Sequence, residues 1–260
     1  MRCPARLALI AVMLLVAGDI AAQEFGGRRG GRRDREGVDA FTGNTPYDGR
    51  FTFARIRFEP LGSEWGRGRD LKWDHDFPRA ERNLMKIVKE LSSLEPFMNG
   101  GNVFSADDPE LHRFPVAYVS EPGFWTVSDK EAEGLRSYLL KGGFLIFDDF
   151  FGEHWYNFES QMLKVLPQAR LVRLDTSHPI FDSFFHITSL DYRHPYFGHP
   201  SEFYGIFENN DPNRRLMVIV NYNNDIGDFW EWSDAGFIPI ELSNEAYKLG
   251  VNYLMYALTH

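Results

Sequence analysis

Cysteine is almost missing from this chain: Cys3 is the only one among 260 residues, and it sits in an apolar N-terminal stretch. Past that stretch no disulfide, cysteine nucleophile or thiolate metal site can form. Excess positive charge is missing too. The net charge is −9, so no nucleic-acid partner is expected. There is no G-x-S-x-G elbow, no G-x-x-x-x-G-K-[ST] loop, no H-E-x-x-H helix and no G-x-G-x-x-G after a strand. The common hydrolase, nucleotide-hydrolase and dehydrogenase readings therefore lose their usual support.

What is present begins with an export signal. Arg2 and Arg6 precede an apolar run from Leu7 to Ala17, and Ile20-Ala21-Ala22 offers small residues for cleavage after Ala22. The run falls short of the about 20 apolar residues that span a bilayer, so membrane contact is expected only if this segment stays uncleaved. Export without disulfides suits a periplasmic or secreted protein of the bacterial envelope. Residues 23–50, with Gly26-Gly27-Arg28-Arg29-Gly30-Gly31-Arg32-Arg33, show no apolar periodicity and read as a disordered leader. Residues 51–260 then form one α/β domain, for which a 43% hydrophobic composition is ample.

The most informative stretch runs from Ser128 to Gly152. Ser128 and Glu131 have capping-box spacing, Leu135, Leu139 and Leu140 mark an apolar helix face, and Gly142-Gly143 ends the helix. Phe144 to Phe147 is a continuous apolar run, as in a strand covered on both faces. Asp148 and Asp149 follow at its carboxyl end, where open α/β sheets bind ligands. Elsewhere, Phe51–Phe58, Pro115–Val119, Ala169–Leu174, Phe203–Phe207 and Leu216–Val220 read as strands. Helices are expected from Pro78 to Leu94 with Asp76 as cap, over Phe158–Leu166, and over Ser243–Leu258. This alternation predicts a three-layer sandwich around a mostly parallel sheet.

Four groups carry candidate chemistry. Asp148 and Asp149, near Glu153 and His154, repel each other unless a helix terminus, an arginine or a metal offsets them; alternatively one caps a turn and the other faces water. Trp73-Asp74-His75-Asp76 can hold a metal or orient a histidine, or it can simply start a helix. His178 precedes Pro179 and is of interest only if the fold brings it near Asp148. Asn221 to Trp232, with Asn224, Asp225, Asp228, Trp230 and Glu231, mixes amides, acids and aromatics suited to a polar ligand; as surface, it is a loop pinned by its tryptophans.

In order, these pieces resemble one bacterial family, the domain of unknown function 4159, over roughly residues 50–260. The resemblance rests on Phe51–Phe58, Pro115–Ser120, Leu135–Leu139, Gly142-Gly143-Phe144, Asp148-Asp149, His178–Phe181, Asn224–Asp228, Trp230-Glu231 and Leu249–Asn252. It implies a flavodoxin-like layout similar to class I glutamine amidotransferases. Those enzymes place a cysteine elbow where this chain has Asp148-Asp149, which excludes acyl-thioester chemistry here.

Two functions follow as expectations. One is a non-catalytic envelope module that binds a polar small molecule, a glycan or an envelope protein, with Asp148, Asp149, His178, Asn224, Asp225, Asp228, Trp230 and Glu231 as candidate contacts. The other is a metal-dependent hydrolase of a carbohydrate or amide, with Asp148, Asp149, His178 and Asp225 as ligands and a bound water as nucleophile. No cofactor motif is evident, and a divalent metal is the cofactor the second reading requires.

Overall fold

A computed structural model describes residues 43–62, 70–195, 198–236 and 238–260. The signal segment 1–22 and the leader as far as residue 42 lie outside the described residues. The strands are β1 (Ala54–Ile56), β2 (Asn102–Phe104), β3 (Val116–Ser120), β4 (Phe144–Phe150), β5 (Val172–Arg173), β6 (Glu202–Phe207) and β7 (Leu216–Tyr222). The helices are α1 (Arg79–Leu91), α2 (Asp129–Leu140), α3 (His154–Val165), α4 (Ile226–Glu231) and α5 (Ile240–Thr259). They build a seven-stranded sheet in the order β2-β1-β3-β4-β7-β6-β5. Five neighbouring strands, β2 to β7 in that order, run parallel. β6 alone reverses direction, because it reaches β7 through a tight turn that permits only antiparallel pairing; β5, antiparallel to β6, again runs with the parallel strands.

The two-residue period of the central strands splits the core into two layers. Tyr118, Ile146 and Ile219 pack with Leu84 and Val88 of α1 and with Leu249 and Tyr253 of α5. Their neighbours Ala117, Val119, Leu145, Phe147, Val218 and Val220 face Leu135 and Leu139 of α2 and Phe158 and Met162 of α3. Each Val, Leu, Ile, Phe or Met side chain among them contributes about 1.5–3 kcal/mol on burial, so the sheet must be covered on both sides. The fold is the expected α/β sandwich.

Local expectations hold where the signal is local. Ser128 accepts the Glu131 N–H and the Glu131 carboxylate accepts the Ser128 N–H, so the capping box is formed. Gly142, at φ 110°, takes a conformation that side chains resist and ends α2. Three features differ. The expected strand 51–58 shortens to β1, and Arg55, expected on a polar face, is buried against Glu81. β2 was hidden in an unpatterned stretch. The end of the leader is not free chain: Asn44 donates to the Val103 carbonyl at 2.9 Å and accepts its N–H at 2.7 Å, which covers the edge of β2.

Candidate functional site

The site lies at the carboxyl ends of β3, β4 and β7. Between Phe147 and Phe150 the β4 register shifts: Phe147 pairs with Val220 and Phe150 with Tyr222, so Asp148 and Asp149 together oppose Asn221. Such a bulge re-aims side chains. Asp149 takes a left-handed backbone, φ 61°, and its side chain turns toward the site with Ser120 Oγ at 3.3 Å. Asp148 points the other way. Fully buried, it accepts the Tyr118 hydroxyl at 2.7 Å and the N–H groups of Ile226 and Gly227 at 2.8 and 3.0 Å. It therefore anchors the first turn of α4.

The segment before α1 brings the next groups. Arg55, buried on β1, donates to Glu81 at 2.7 Å and to the carbonyls of Trp73 and His75 at 2.9 and 2.6 Å. Its guanidinium lies over the Tyr118 ring. Clamped in this way, the segment presents His75 with Nδ1 2.6 Å from Glu121 and Nε2 2.8 Å from Asp70. A ligating histidine uses its second nitrogen on a carboxylate in this fashion. Asp76 does not cap α1. Its φ is 65°, the helix starts without a side-chain cap, and Asp76 Oδ2 is closed off from water with no hydrogen-bond partner among the described residues.

β7 and α4 complete the set. Asp225 caps α4 by accepting the Asp228 N–H at 2.8 Å, and Asp228 takes the Trp232 indole N–H at 3.0 Å. His194 Nε2 lies 3.8 Å from Asp228. Ligand atoms gather within 4.8 Å of one another in several overlapping sets: His75, Glu121 and Asp149; Asp76, Asp149 and Asp225; Asp76, Asp228 and Glu231; His194, Asp225 and Asp228; Asp70, Asp74 and His75. Of the non-glycine residues with positive φ, Lys72, Asp76, Glu121, Asp149 and Asn223 stand at this edge of the sheet. Each such residue costs of order 1–3 kcal/mol, which the surrounding structure must offset.

Electrostatics are dominated by crowded acids. Burial, then repulsion from Glu121, pushes the Asp149 carboxyl up to about 8 despite the attraction of His75. Burial and neighbouring carboxylates also push Asp76 and Asp225 well above the usual range. Asp148 rises through burial, opposed by the Tyr118 hydroxyl and the α4 amides. Burial alone would lower His75, but its bonds to Asp70 and Glu121 outweigh this and raise it to about 11. Burial takes His194 down to about 4. The cluster favours whatever brings positive charge into it, a proton or a cation.

The structure brings Asp149 and Asp225 together and places Asp228 and Glu231 beside them. It sets the remaining candidates elsewhere. Asp148 anchors α4 through Oδ2 and belongs to none of these ligand sets, while its Oδ1 is buried without a partner among the described residues. Asn224 is buried and accepts its neighbour's N–H. Trp230 is a core residue, 2% exposed, donating to the Ala246 carbonyl at 3.0 Å, so its ring offers no platform to a ligand. His178 accepts the Ile180 N–H and packs on Phe207 and Tyr256, near the start of β7. That is the opposite end of the sheet from Asp225, because Phe207 pairs with Leu216.

Glu121, Asp70 and His194 complete the site unforeseen. Glu121 had the same signal as Asp148, an acid at the end of an apolar strand. Asp76 and His75 were visible as Asp-His-Asp but equally well explained as a helix start. The family model of the Domain of unknown function (DUF4159) matches residues 52–258. No curated protein matches the chain.

Proposed function

We propose that this chain, which belongs to the DUF4159 family, binds a divalent cation at the carboxyl edge of its sheet and uses it to hydrolyse a polar substrate. The observation that carries this reading is the set Asp76, Asp149 and Asp225, whose ligand atoms lie within 4.8 Å of one another, with Asp76 Oδ2 shielded from water and unpartnered among the described residues. Buried carboxylates without donors are costly unless a cation joins them. Oxygen and imidazole ligands of this kind suit magnesium, manganese or zinc.

The cation would lower the pKa of a bound water and polarise the substrate. With Asp76, Asp149 and Asp225 holding the cation, the water oxygen would bond to the carbonyl or anomeric carbon as the scissile C–N or C–O bond breaks, one water proton going to the leaving group. Carbohydrates and amides are the substrate classes we assign, acted on in the bacterial periplasm or outside the cell. Trp230, one of the aromatics nominated for ligand contact, is buried, whereas the converging carboxylates suit a cation, which supports the hydrolase reading over a purely recognising module.

Elemental mass spectrometry of the purified protein tests the reading. Near-stoichiometric metal that is lost in Asp149→Asn and Asp225→Asn supports it. No metal above background, and no uptake on dialysis against manganese or zinc, counts against it.

A further inference from the structure

Two of the ligand sets share one residue. His75, Glu121 and Asp149 form the first, and Asp76, Asp149 and Asp225 the second, with one donor atom from each residue within 4.8 Å of the others. A carboxylate has two oxygens and can serve two cations. Asp149 is placed for that role: the β4 bulge sets it between the segment carrying His75 and Asp76 and the turn carrying Asp225, and its own N–H is held by the Asn224 carbonyl at 3.1 Å.

We propose that the site holds a pair of divalent cations bridged by Asp149. This rests on the cation-binding reading above. Charge is the first argument. Glu121, Asp149, Asp76 and Asp225 together carry four negative charges when ionised; the Lys72 ammonium, 3.1 Å from Glu121, offsets one, and a single divalent cation would still leave part of the charge uncompensated. A second divalent cation would cover it. Arg55, which also lies close to Asp76, is already committed to Glu81 and to two backbone carbonyls.

The second argument is Asp76, a member of the second set and not of the first, whose Oδ2 is shielded from water and has no partner among the described residues. A single cation held by His75, Glu121 and Asp149 would not serve it. A cation bound by Asp76 and Asp225 would, in turn, leave His75 bonded to Glu121 and Asp70 and outside the metal's ligands.

The two positions differ in chemistry. The first offers one imidazole nitrogen and two carboxylates, the second carboxylates alone. Manganese accepts both donor sets and is therefore the informative probe. In two-metal hydrolases the ions stand about 3.5–4 Å apart, one holding the attacking oxygen and the other the leaving one. Asp149 would then be the residue that fixes their separation.

Manganese titration of the chelator-stripped protein, followed by calorimetry and electron paramagnetic resonance, decides the matter. We expect about two manganese ions per chain and an exchange-coupled spectrum. His75→Ala should bind one ion with an uncoupled spectrum. Asp149→Asn should abolish the coupling, and a circular-dichroism melt establishes that each variant is folded. If Asp149→Asn does not fold, the wild-type spectrum and His75→Ala still decide. One ion per chain, or two without coupling, overturns the bridge but leaves the single-cation reading standing. No binding at all overturns both.

Discussion

Replacing Arg55 with methionine separates stability from site assembly. Arg55 and Glu81 are a buried ion pair, each side chain 1% exposed. Removing only the arginine leaves Glu81 buried without its charge partner, which typically costs roughly 3–5 kcal/mol. For a chain of this size that is a fall in Tm of about 6–20 °C, at about 2–4 °C per kcal/mol. The variant also leaves the carbonyls of Trp73 and His75 without their donor, and the segment presenting His75 and Asp76 loosens. Loss of such supporting contacts costs about 10–100-fold in metal affinity. The double variant Arg55→Met, Glu81→Met removes the orphaned charge and replaces the pair with apolar volume, so it should recover most of the lost stability. It should not recover cation affinity, because the carbonyl clamp is still gone. Thermal melts and manganese calorimetry on wild type, single and double variants make the comparison. A double variant that regains both stability and affinity would refute the positioning role.

Three further outcomes follow from the same geometry. A Cβ at Gly227 would stand 2.5 Å from Asp76 Oδ2 and 2.8 Å from the Tyr118 hydroxyl, so Gly227→Ala should displace Asp76 and weaken cation binding at least tenfold in calorimetry. In chelator, the protein should lose stability between pH 6.5 and 8: Asp149 and His75 have folded pKa values raised above their unfolded ones, so the folded state holds the extra protons and their contribution drains away as pH rises. The depressed His194 works in the opposite direction only below pH 6.5, and saturating cation should flatten the slope in melts run across that window. Ser128→Ala removes a formed capping box and should cost about 1 kcal/mol in urea unfolding, with manganese affinity unchanged because α2 packs away from the site.

How much could be read beforehand depended on range. The capping box at Ser128 and the stop at Gly142 are decided within a few residues, and both formed as written. Asp149 was legible because an apolar run ending in acids marks a strand's carboxyl end. Its division of labour with Asp148 was not, since a one-residue bulge decides which of the two faces inward. Phe51 to Phe58 alternated like a half-exposed strand, yet Arg55 is buried because its partner Glu81 lies on α1, 26 residues away. Trp230 looked like a surface aromatic until α5 supplied the Ala246 carbonyl for its indole. His75, Asp76 and Glu121 converge only after distant segments adopt left-handed backbones at Asp76 and Glu121, and no periodicity encodes that.

The most direct test is a crystal of the protein grown with manganese and measured for anomalous scattering. Strong peaks coordinated by Asp149, with His75 and Glu121 on one side and Asp76 and Asp225 on the other, are what the account predicts. A well-ordered site with no anomalous density there, and manganese bound only elsewhere on the surface, would contradict it.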